Sequence, residues 1–311
     1  MISEGRYKNQ KAIIVENENL SMSFLPDTGA NLASVVLKEE NFEFMVQRPE
    51  REYRRVEFGG DYVEAECSGM DDMFPTIDRC YYERFPWSGT ELADHGEVWN
   101  LAADVNVKGD DRVDFTFHGV RLPYVFHKNV SIIEKNTVRI DYSAENNTDF
   151  EMDFLWAGHT MLQAEPGTRV IVPEDCTCAQ AVFTDSGRIG AYGEEFDYPV
   201  YRDKDGSLRD MSVMGERQKD SEKYYLKYPL TEGMCGIERT NGRSFTYRFP
   251  ADRVPYLGLL QNFGGFREMY NMFLEPCTSP FDRPDVARLM KKNCVIPPRS
   301  AYDWYLEITV R

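Results

Sequence analysis

Apolar and polar residues alternate along much of this chain with a period of two. The alternation is clearest where Leu20, Met22 and Phe24 are separated by serines. Because successive side chains of an extended strand point to opposite faces, this period predicts strands that are covered on one face. Further strands are predicted at 11–15, 31–37, 114–117, 130–133, 138–142, 169–172, 244–249 and 304–310.

The segments between the predicted strands favour turns, because they are rich in Gly, Asn, Asp and Pro. Regular short strands of this kind predict an all-β chain, built as a large antiparallel β-sandwich with little helix. The exception is 282–292, where Pro284 suits a first helical turn and the later apolar residues share one face. The polar segment 192–222 predicts a long loop or hairpin.

A single domain covering 1–311 is predicted, because no composition break, low-complexity tract or internal repeat divides the chain. Its residues are 42% hydrophobic, which is enough for a large core. The net charge of −16 repels phosphate backbones, so no nucleic-acid partner is expected. The same charge argues against a phosphorylated substrate unless arginines cluster locally, so the expected partner is a neutral small molecule.

Targeting signals and cysteine usage predict a cytoplasmic protein. The first residues lack the basic start and apolar stretch of a signal peptide, and no apolar run has the length of a membrane span. No membrane partner is therefore expected. The seven cysteines form no Cys-x-x-Cys pair, which predicts reduced and mostly structural thiols. A homodimer is left open.

Glu275 is the first candidate for chemistry. It follows the apolar run 272–274 and precedes Pro276, which biases the residue before it toward extended geometry. We therefore expect Glu275 at the end of a strand, where apolar walls would raise the pKa of its carboxyl group and suit it to general base catalysis. The alternative is an ordinary carboxylate that is solvated or paired with an arginine.

Two histidines lie far upstream of Glu275. His95 has carboxylates on both sides, which would raise the pKa of its imidazole, and Gly96 permits another group to approach closely. His159 lies in an apolar strand, where residues two apart share a face. Alone, His95 also suits a polar turn, and His159 also suits a hydrogen-bonded place in the core.

The spacing of these residues predicts neither a metal site nor an organic cofactor. Zinc ligands often occur as His-x-His or His-x-x-x-His, and this chain has neither pair. Two residues are candidates for binding a sugar. Asp72 could accept hydrogen bonds from hydroxyl groups, and Trp156 could pack against a sugar ring.

Taken together, the segments resemble the galactose mutarotase-like superfamily, which comprises the aldose 1-epimerases and their relatives. The similar segments are Leu25-Pro26-Asp27-Thr28-Gly29-Ala30, Asp94-His95-Gly96-Glu97-Val98-Trp99, Trp156-Ala157-Gly158-His159, Leu274-Glu275-Pro276-Cys277-Thr278 and the tail 297–310. They occur in the family's order and span nearly the whole chain. The resemblance implies the galactose mutarotase-like supersandwich, with an open concave face.

The resemblance also implies an isomerase, a carbohydrate mutarotase or aldose 1-epimerase that opens and closes a sugar ring by acid–base catalysis without a cofactor. It implies that Glu275 is the base on the anomeric hydroxyl. His159, as an imidazolium, is the acid on the ring oxygen, and His95 assists at the ring. The implied substrate is a monosaccharide or a small sugar derivative.

The chain departs from the family's pattern at two places. Well-studied galactose mutarotases have an Asn-Arg segment upstream of the first histidine, where this chain has Gly69-Met70-Asp71-Asp72-Met73. The family's substrate-orienting aspartate has no clear match, and Glu222 and Lys223 are the polar candidates in that zone. We therefore expect Lys223 and Gln261 to bind substrate together with Asp72 and Trp156.

The same segments leave three other functions on this fold open. A sugar-binding or sensing protein would keep the cleft without turnover. A sugar-phosphate mutarotase would need cations at the cleft mouth, for which the candidates are Arg79, Arg84 and Arg267. A glycan-cleaving relative would need a second carboxylate facing Glu275, for which Asp72 is the candidate.

Overall fold

The computed structural model describes residues 1–203 and 206–311. Antiparallel strands dominate the described residues, which contain one short α-helix, α1 (Pro284–Leu289), and 3₁₀ turns at 38–40, 62–64 and 98–100. None of the described helices has the length and apolar character needed to span a bilayer.

Strands follow one another along the chain from β1 to β26. The first thirteen are β1 (Ile2–Tyr7), β2 (Gln10–Glu16), β3 (Leu20–Leu25), β4 (Asn31–Leu37), β5 (Phe42–Glu43), β6 (Met70–Met73), β7 (Cys80–Tyr81), β8 (Glu91–Leu92), β9 (Asp104–Lys108), β10 (Arg112–His118), β11 (Tyr124–Glu134), β12 (Thr137–Asn146) and β13 (Met152–Phe154). The others are β14 (Ala157–Gln163), β15 (Arg169–Ile171), β16 (Cys178–Thr184), β17 (Glu195–Asp197), β18 (Val200–Arg202), β19 (Leu208–Asp210), β20 (Ser221–Leu226), β21 (Met234–Glu238), β22 (Ser244–Arg248), β23 (Tyr256–Phe263), β24 (Tyr270–Cys277), β25 (Cys294–Ile296) and β26 (Ser300–Val310).

Two large antiparallel sheets form the sandwich. The larger sheet has the strand order β1-β2-β3-β4-β6-β14-β24-β23-β20-β16-β17, with β5 paired to β4. The smaller sheet has the order β15-β21-β22-β26-β12-β11-β10-β9. Apolar side chains from both sheets meet between them, as in the contact of Phe24 with Phe115, whose ring centroids are 5.9 Å apart. Burial of these alternating apolar faces stabilises the stack.

The other face of the larger sheet carries a second apolar cluster. Met161 and Phe273 from the strands pack there with Tyr62, Ile77 and Phe281 from the loops. Because the loops cover this face instead of another sheet, it is the face on which side chains from strands and loops come together.

The structure confirms the predicted all-β sandwich and the strand at each predicted position. The helix predicted at 282–292 is shorter, because it begins at Pro284 and leaves Asp282 outside it. The segment 192–222 contains β17 and the hairpin of β18 with β19, as predicted, while Lys204 and Asp205 within it lie outside the described residues. The assignment of 1–311 to a single domain stays a prediction.

Candidate active site

A row of five residues crosses the larger sheet on its loop-covered face. The row consists of Asp71 on β6, His159 on β14, Glu275 on β24, Gly258 on β23 and Tyr225 on β20. Register pairs His159 with Asp71, and it pairs Gly258 with both Glu275 and Tyr225. Residues that lie opposite each other in neighbouring strands point to the same face, so the row forms one continuous strip of side chains.

His159 and Glu275 meet at a break in the ladder between β14 and β24. The strands pair two residues before His159 and one residue after it, but not between, where Pro276 has no N–H to donate. The strand nevertheless continues to Cys277, so Glu275 lies within it and not at the predicted position at its end. His159 Nε2 is 3.6 Å from Glu275 Oε1, and both side chains are buried.

Gly258 leaves room for a buried ion-pair cluster beside Glu275. A Cβ at this position would lie 3.2 Å from Glu275 Oε2 and 3.2 Å from Tyr225 Cε1. Lys223 shares the face of Tyr225 and reaches across this space, with its Nζ 3.0 Å from Glu275 Oε2 and 2.8 Å from Asp282 Oδ1. The Tyr225 hydroxyl donates to the same oxygen of Asp282 at 2.5 Å.

Asp282 is held in the site by an unusual backbone conformation. Phe281 and Asp282 both have positive φ angles, 68° and 62°, a left-handed conformation that is uncommon for residues other than glycine. The backbone N–H groups of Ile77 and Asp78 both donate to the Asp282 carbonyl at 2.9 Å. These bonds fix the turn that directs the Asp282 carboxylate to Lys223. Sequence reasoning missed this residue by assigning it to a helix.

His95 comes from the turn that follows β8 and not from a strand. Its Nδ1 is 3.0 Å from Asp94 Oδ1, and its ring centroid is 5.3 Å from that of His159. A Cβ on Gly96 would lie 2.3 Å from the carbonyl oxygen of Phe74, so the close approach predicted at this glycine is confirmed.

Tyr62 connects the two histidines. Its ring stacks on His95 with the centroids 4.1 Å apart, and its hydroxyl oxygen is 3.4 Å from His159 Nδ1. The hydroxyl donates to Asp71 Oδ2 at 2.8 Å. Sequence reasoning missed Tyr62 because it lies in a long segment without hydrophobic periodicity, where no local signal distinguishes one tyrosine from another.

A cavity of about 450 Å³ opens over this part of the sheet. Its polar lining consists of Tyr62, Asp78, His95, Asp185, Tyr192, Ser221, His159, Lys223 and Asp282. Glu275 has no exposed surface and does not line the cavity itself. It contacts His159 and Lys223, which do. Among residues 1–203 and 206–311, no group of three or more His, Cys, Asp and Glu side chains could hold a metal ion.

Burial controls the charges in the site. It raises the pKa of the Glu275 carboxyl group, and the nearby Lys223 ammonium only partly opposes the rise. It lowers the pKa of the His159 imidazole well below its usual value, and the charges of His95 and Lys223 lower it further. Burial also lowers the pKa of Lys223, but Asp282 and Glu275 outweigh it, so this pKa is raised overall. The expected imidazolium form of His159 is therefore disfavoured by its surroundings.

Two of the expected substrate-binding residues lie on the wrong side of the sheet. Asp72 is fully buried in the sandwich core, where Lys128 Nζ is 2.8 Å from its Oδ2. Trp156 is also in this core and donates its Nε1–H to Asp72 at 3.0 Å. The prediction was wrong because Asp72 is one residue away from Asp71, and one residue changes the face of a strand.

The prediction for Gln261 is wrong for the same reason. Its side-chain amide is buried and donates to the carbonyl of Met211 at 2.7 Å, away from the cavity. The adjacent Leu260 lines the cavity instead. Lys223 is the one of the four expected binding residues that lines it.

A scan against protein-family models found no match, and a search of curated proteins found none either. Solved structures with similar folds include the Slr1438 protein from Synechocystis sp. PCC 6803, with a TM-score of 0.71, 14% identity and 98% of each chain covered. Another is a galactose mutarotase-like protein from Clostridium acetobutylicum, with a TM-score of 0.70, 16% identity, and 100% of this chain and 98% of that chain covered.

A third structure, a candidate aldose 1-epimerase from Klebsiella pneumoniae subsp. pneumoniae MGH 78578, has a TM-score of 0.72 and 14% identity over 99% of this chain and 83% of that chain. Identity at this level carries information about the fold and not about individual site residues. The sandwich, its strand content and these matches agree with one another. The chain therefore has the fold of the galactose mutarotase-like proteins.

Proposed function

We propose that the protein is a carbohydrate mutarotase, an isomerase that interconverts the anomers of a free aldose. The observation that carries this proposal is the contact of Glu275 with His159, 3.6 Å apart beside a cavity that His95 also lines. A carboxyl group and an imidazole at this separation can remove a proton from one sugar oxygen and deliver a proton to another.

In the proposed reaction, Glu275 accepts the proton of the anomeric hydroxyl, and the O–H electron pair forms the C1=O1 bond. The C1–O5 bond breaks, and its electron pair leaves with the ring oxygen, which receives a proton from His159. Rotation about the C1–C2 bond and reversal of these steps give the other anomer. Glu275 gains one proton and His159 loses one when the ring opens, and both transfers reverse when it closes. The protein therefore ends with the number of protons it began with.

Two features of the site shape this reaction. Glu275 is fully buried, so substrate binding must uncover its carboxylate. Burial also disfavours the imidazolium of His159, so we infer that this form arises only with the sugar bound, by proton transfer across the short distance from Glu275. His95, with Asp94 beside it, assists at the ring.

The charges lining the cavity favour an unphosphorylated sugar. Asp78, Asp185 and Asp282 line it, and its lysine, Lys223, already contacts two carboxylates. A phosphate group would be repelled there. The three arginines that could bind a phosphate have other partners. Arg79 pairs with Asp61, Arg84 pairs with Asp153, and Arg267 donates a hydrogen bond to the carbonyl of Ala65.

Exchange NMR tests this function directly. We expect the protein to accelerate anomer exchange of at least one aldose by roughly 100-fold or more over buffer at pH 7. The panel should include free hexoses, pentoses and their 6- or 5-phosphates, with the phosphates not accelerated. Saturable binding without acceleration would instead favour the sugar-binding alternative, and acceleration of phosphates alone would contradict the assignment.

Gly258→Ala is expected to slow the reaction by about 10- to 100-fold, because the added methyl group would displace the Glu275 carboxylate. Gly215→Ala is the matched control, since its Cβ would meet a nearest atom at 3.9 Å, an ordinary contact. The rates are compared by polarimetry. Equal rates for the two variants would contradict the placement of the carboxylate.

A further inference from the structure

Tyr62 contacts both histidines of the site and the carboxylate that pairs with His95. Its backbone N–H donates to Asp94 Oδ2 at 2.8 Å, and Asp94 is the partner of His95. Its ring stacks on His95 with an angle of 13° between the planes. The same ring meets His159 edge to face, with the centroids 5.3 Å apart. Tyr62 therefore contacts both histidines.

The direction of the hydrogen bonds around the Tyr62 hydroxyl follows from its neighbours. Asn31 Nδ2 donates to Asp71 Oδ1 at 2.7 Å, and the Tyr62 hydroxyl is the donor to Asp71 Oδ2. An ionised carboxylate only accepts, so the one hydrogen of the phenol is used in this bond. The phenol oxygen then has only lone pairs left for His159 Nδ1, 3.4 Å away.

We propose that Tyr62, anchored by Asp71, is a positioning residue that places the hydrogen of neutral His159 on Nδ1. The proposal rests on the mutarotase function only for its catalytic consequence. With Nδ1–H donating to Tyr62, the other nitrogen, Nε2, carries a lone pair and faces Glu275 Oε1. A neutral histidine has one donor and one acceptor nitrogen, and the partner of one nitrogen decides the state of the other.

In this tautomer, Nε2 of His159 is a proton acceptor. Because it has no hydrogen of its own, it can take a proton from the Glu275 side of the site and pass it to the ring oxygen of a bound sugar. The opposite tautomer would direct an N–H at Glu275 and leave Nδ1 as an acceptor facing the phenol. Burial keeps His159 neutral in this structure, so the choice between tautomers matters.

The experiment reads the tautomer without measuring activity. The protein is labelled with ¹⁵N-histidine, and long-range ¹H–¹⁵N correlation spectra are recorded at pH 8. At this pH, Asp71 is ionised, since burial raises its pKa only to about 6. The chain has only four histidines, and His159→Gln assigns the relevant signal. We expect the protonated nitrogen of His159 to be Nδ1.

Asp71→Asn is the decisive variant, because it has the same shape. With Asn31 still donating to the side-chain oxygen, the new amide N–H faces the Tyr62 oxygen and turns the phenol hydrogen toward His159. We expect His159 to change to the Nε2–H tautomer. Circular dichroism and thermal unfolding verify that the fold is kept. An Nε2–H tautomer in the parent protein, or an unchanged tautomer in Asp71→Asn, would overturn the proposal.

Tyr62→Phe supplies the kinetic readout. It keeps the ring on His95 and removes only the hydroxyl group. We expect kcat for anomer exchange to fall about 10- to 100-fold with KM unchanged, as for loss of a group that orients a catalytic histidine. A change in KM alone would contradict the positioning role. If no sugar is accelerated, the proposed function fails, while the tautomer result still decides this inference.

Discussion

Glu275→Gln is expected to reduce the acceleration of anomer exchange by roughly 100- to 10,000-fold, because the amide cannot accept the proton of the anomeric hydroxyl. The change keeps the size of the side chain, and Lys223 keeps its contact with Asp282, so the fold should be retained. Saturation-transfer NMR on the sugar accelerated most by the parent protein measures the rate. Calorimetry should still detect sugar binding.

Glu43→Gln is the matched control for this variant. Burial also raises the pKa of the Glu43 carboxyl group, to about 6, but this group accepts hydrogen bonds from Ser34 and two backbone N–H groups and does not line the cavity. We expect its anomer exchange rate to match that of the parent protein. An unchanged rate in Glu275→Gln would reject Glu275 as the base.

Lys223→Met is expected to have the second largest effect, on both stability and pH dependence. It removes the ammonium that lies 3.0 Å from Glu275 and 2.8 Å from Asp282, and leaves buried carboxylates without their counter-charge. Breaking a buried ion pair in this way costs about 3–5 kcal/mol in the free energy of unfolding. Urea unfolding at several pH values measures the loss.

The sign of the pH dependence follows from the pKa of Glu275. This pKa is already raised by burial, and loss of Lys223 raises it further, so the folded variant binds more protons than the unfolded chain. The stability deficit should therefore be largest at pH 8 and shrink as the pH falls through the raised pKa. Because the proposed reaction begins with its proton on Glu275, the alkaline limb of the rate profile, where Glu275 loses this proton, should move to higher pH.

Lys128→Met separates these effects. Lys128 is as deeply buried as Lys223 and pairs with Asp72 at 2.8 Å, but in the sandwich core. We expect it to lose stability by a similar amount, about 3–5 kcal/mol, with the rate profile unchanged. An alkaline limb at the same pH in Lys223→Met and the parent protein would contradict the coupling of Lys223 to Glu275.

The period-two pattern predicted the strands because alternation is a local property of the sequence. The immediate neighbours of Glu275, His159 and His95 made these residues candidates, and the structure brings the three side chains together although 180 residues separate the first from the last. The face of each strand was harder to predict. Asp72, Trp156 and Gln261 are polar or aromatic residues near the site in sequence, and each points into the sandwich.

Other parts of the site had no local signal. Tyr62 lies in an irregular segment, and its role depends on contacts with residues 9 to 97 positions away. Asp282 lies two residues before Pro284, which starts α1, and hydrogen bonds from the backbone N–H groups of Ile77 and Asp78 hold its left-handed turn. Such contacts are made by the tertiary fold, so a pattern over neighbouring residues does not contain them.

The division between strand and loop in the site has a consequence for engineering. His159, Glu275 and Lys223 lie on strands in the interior of the larger sheet, whereas Asp185 and Tyr192 line the cavity from the exposed segment that follows β16. Randomised libraries confined to these two positions should therefore yield variants with altered sugar preference while the proposed chemistry is kept, so that a single scaffold could be adapted to several carbohydrates.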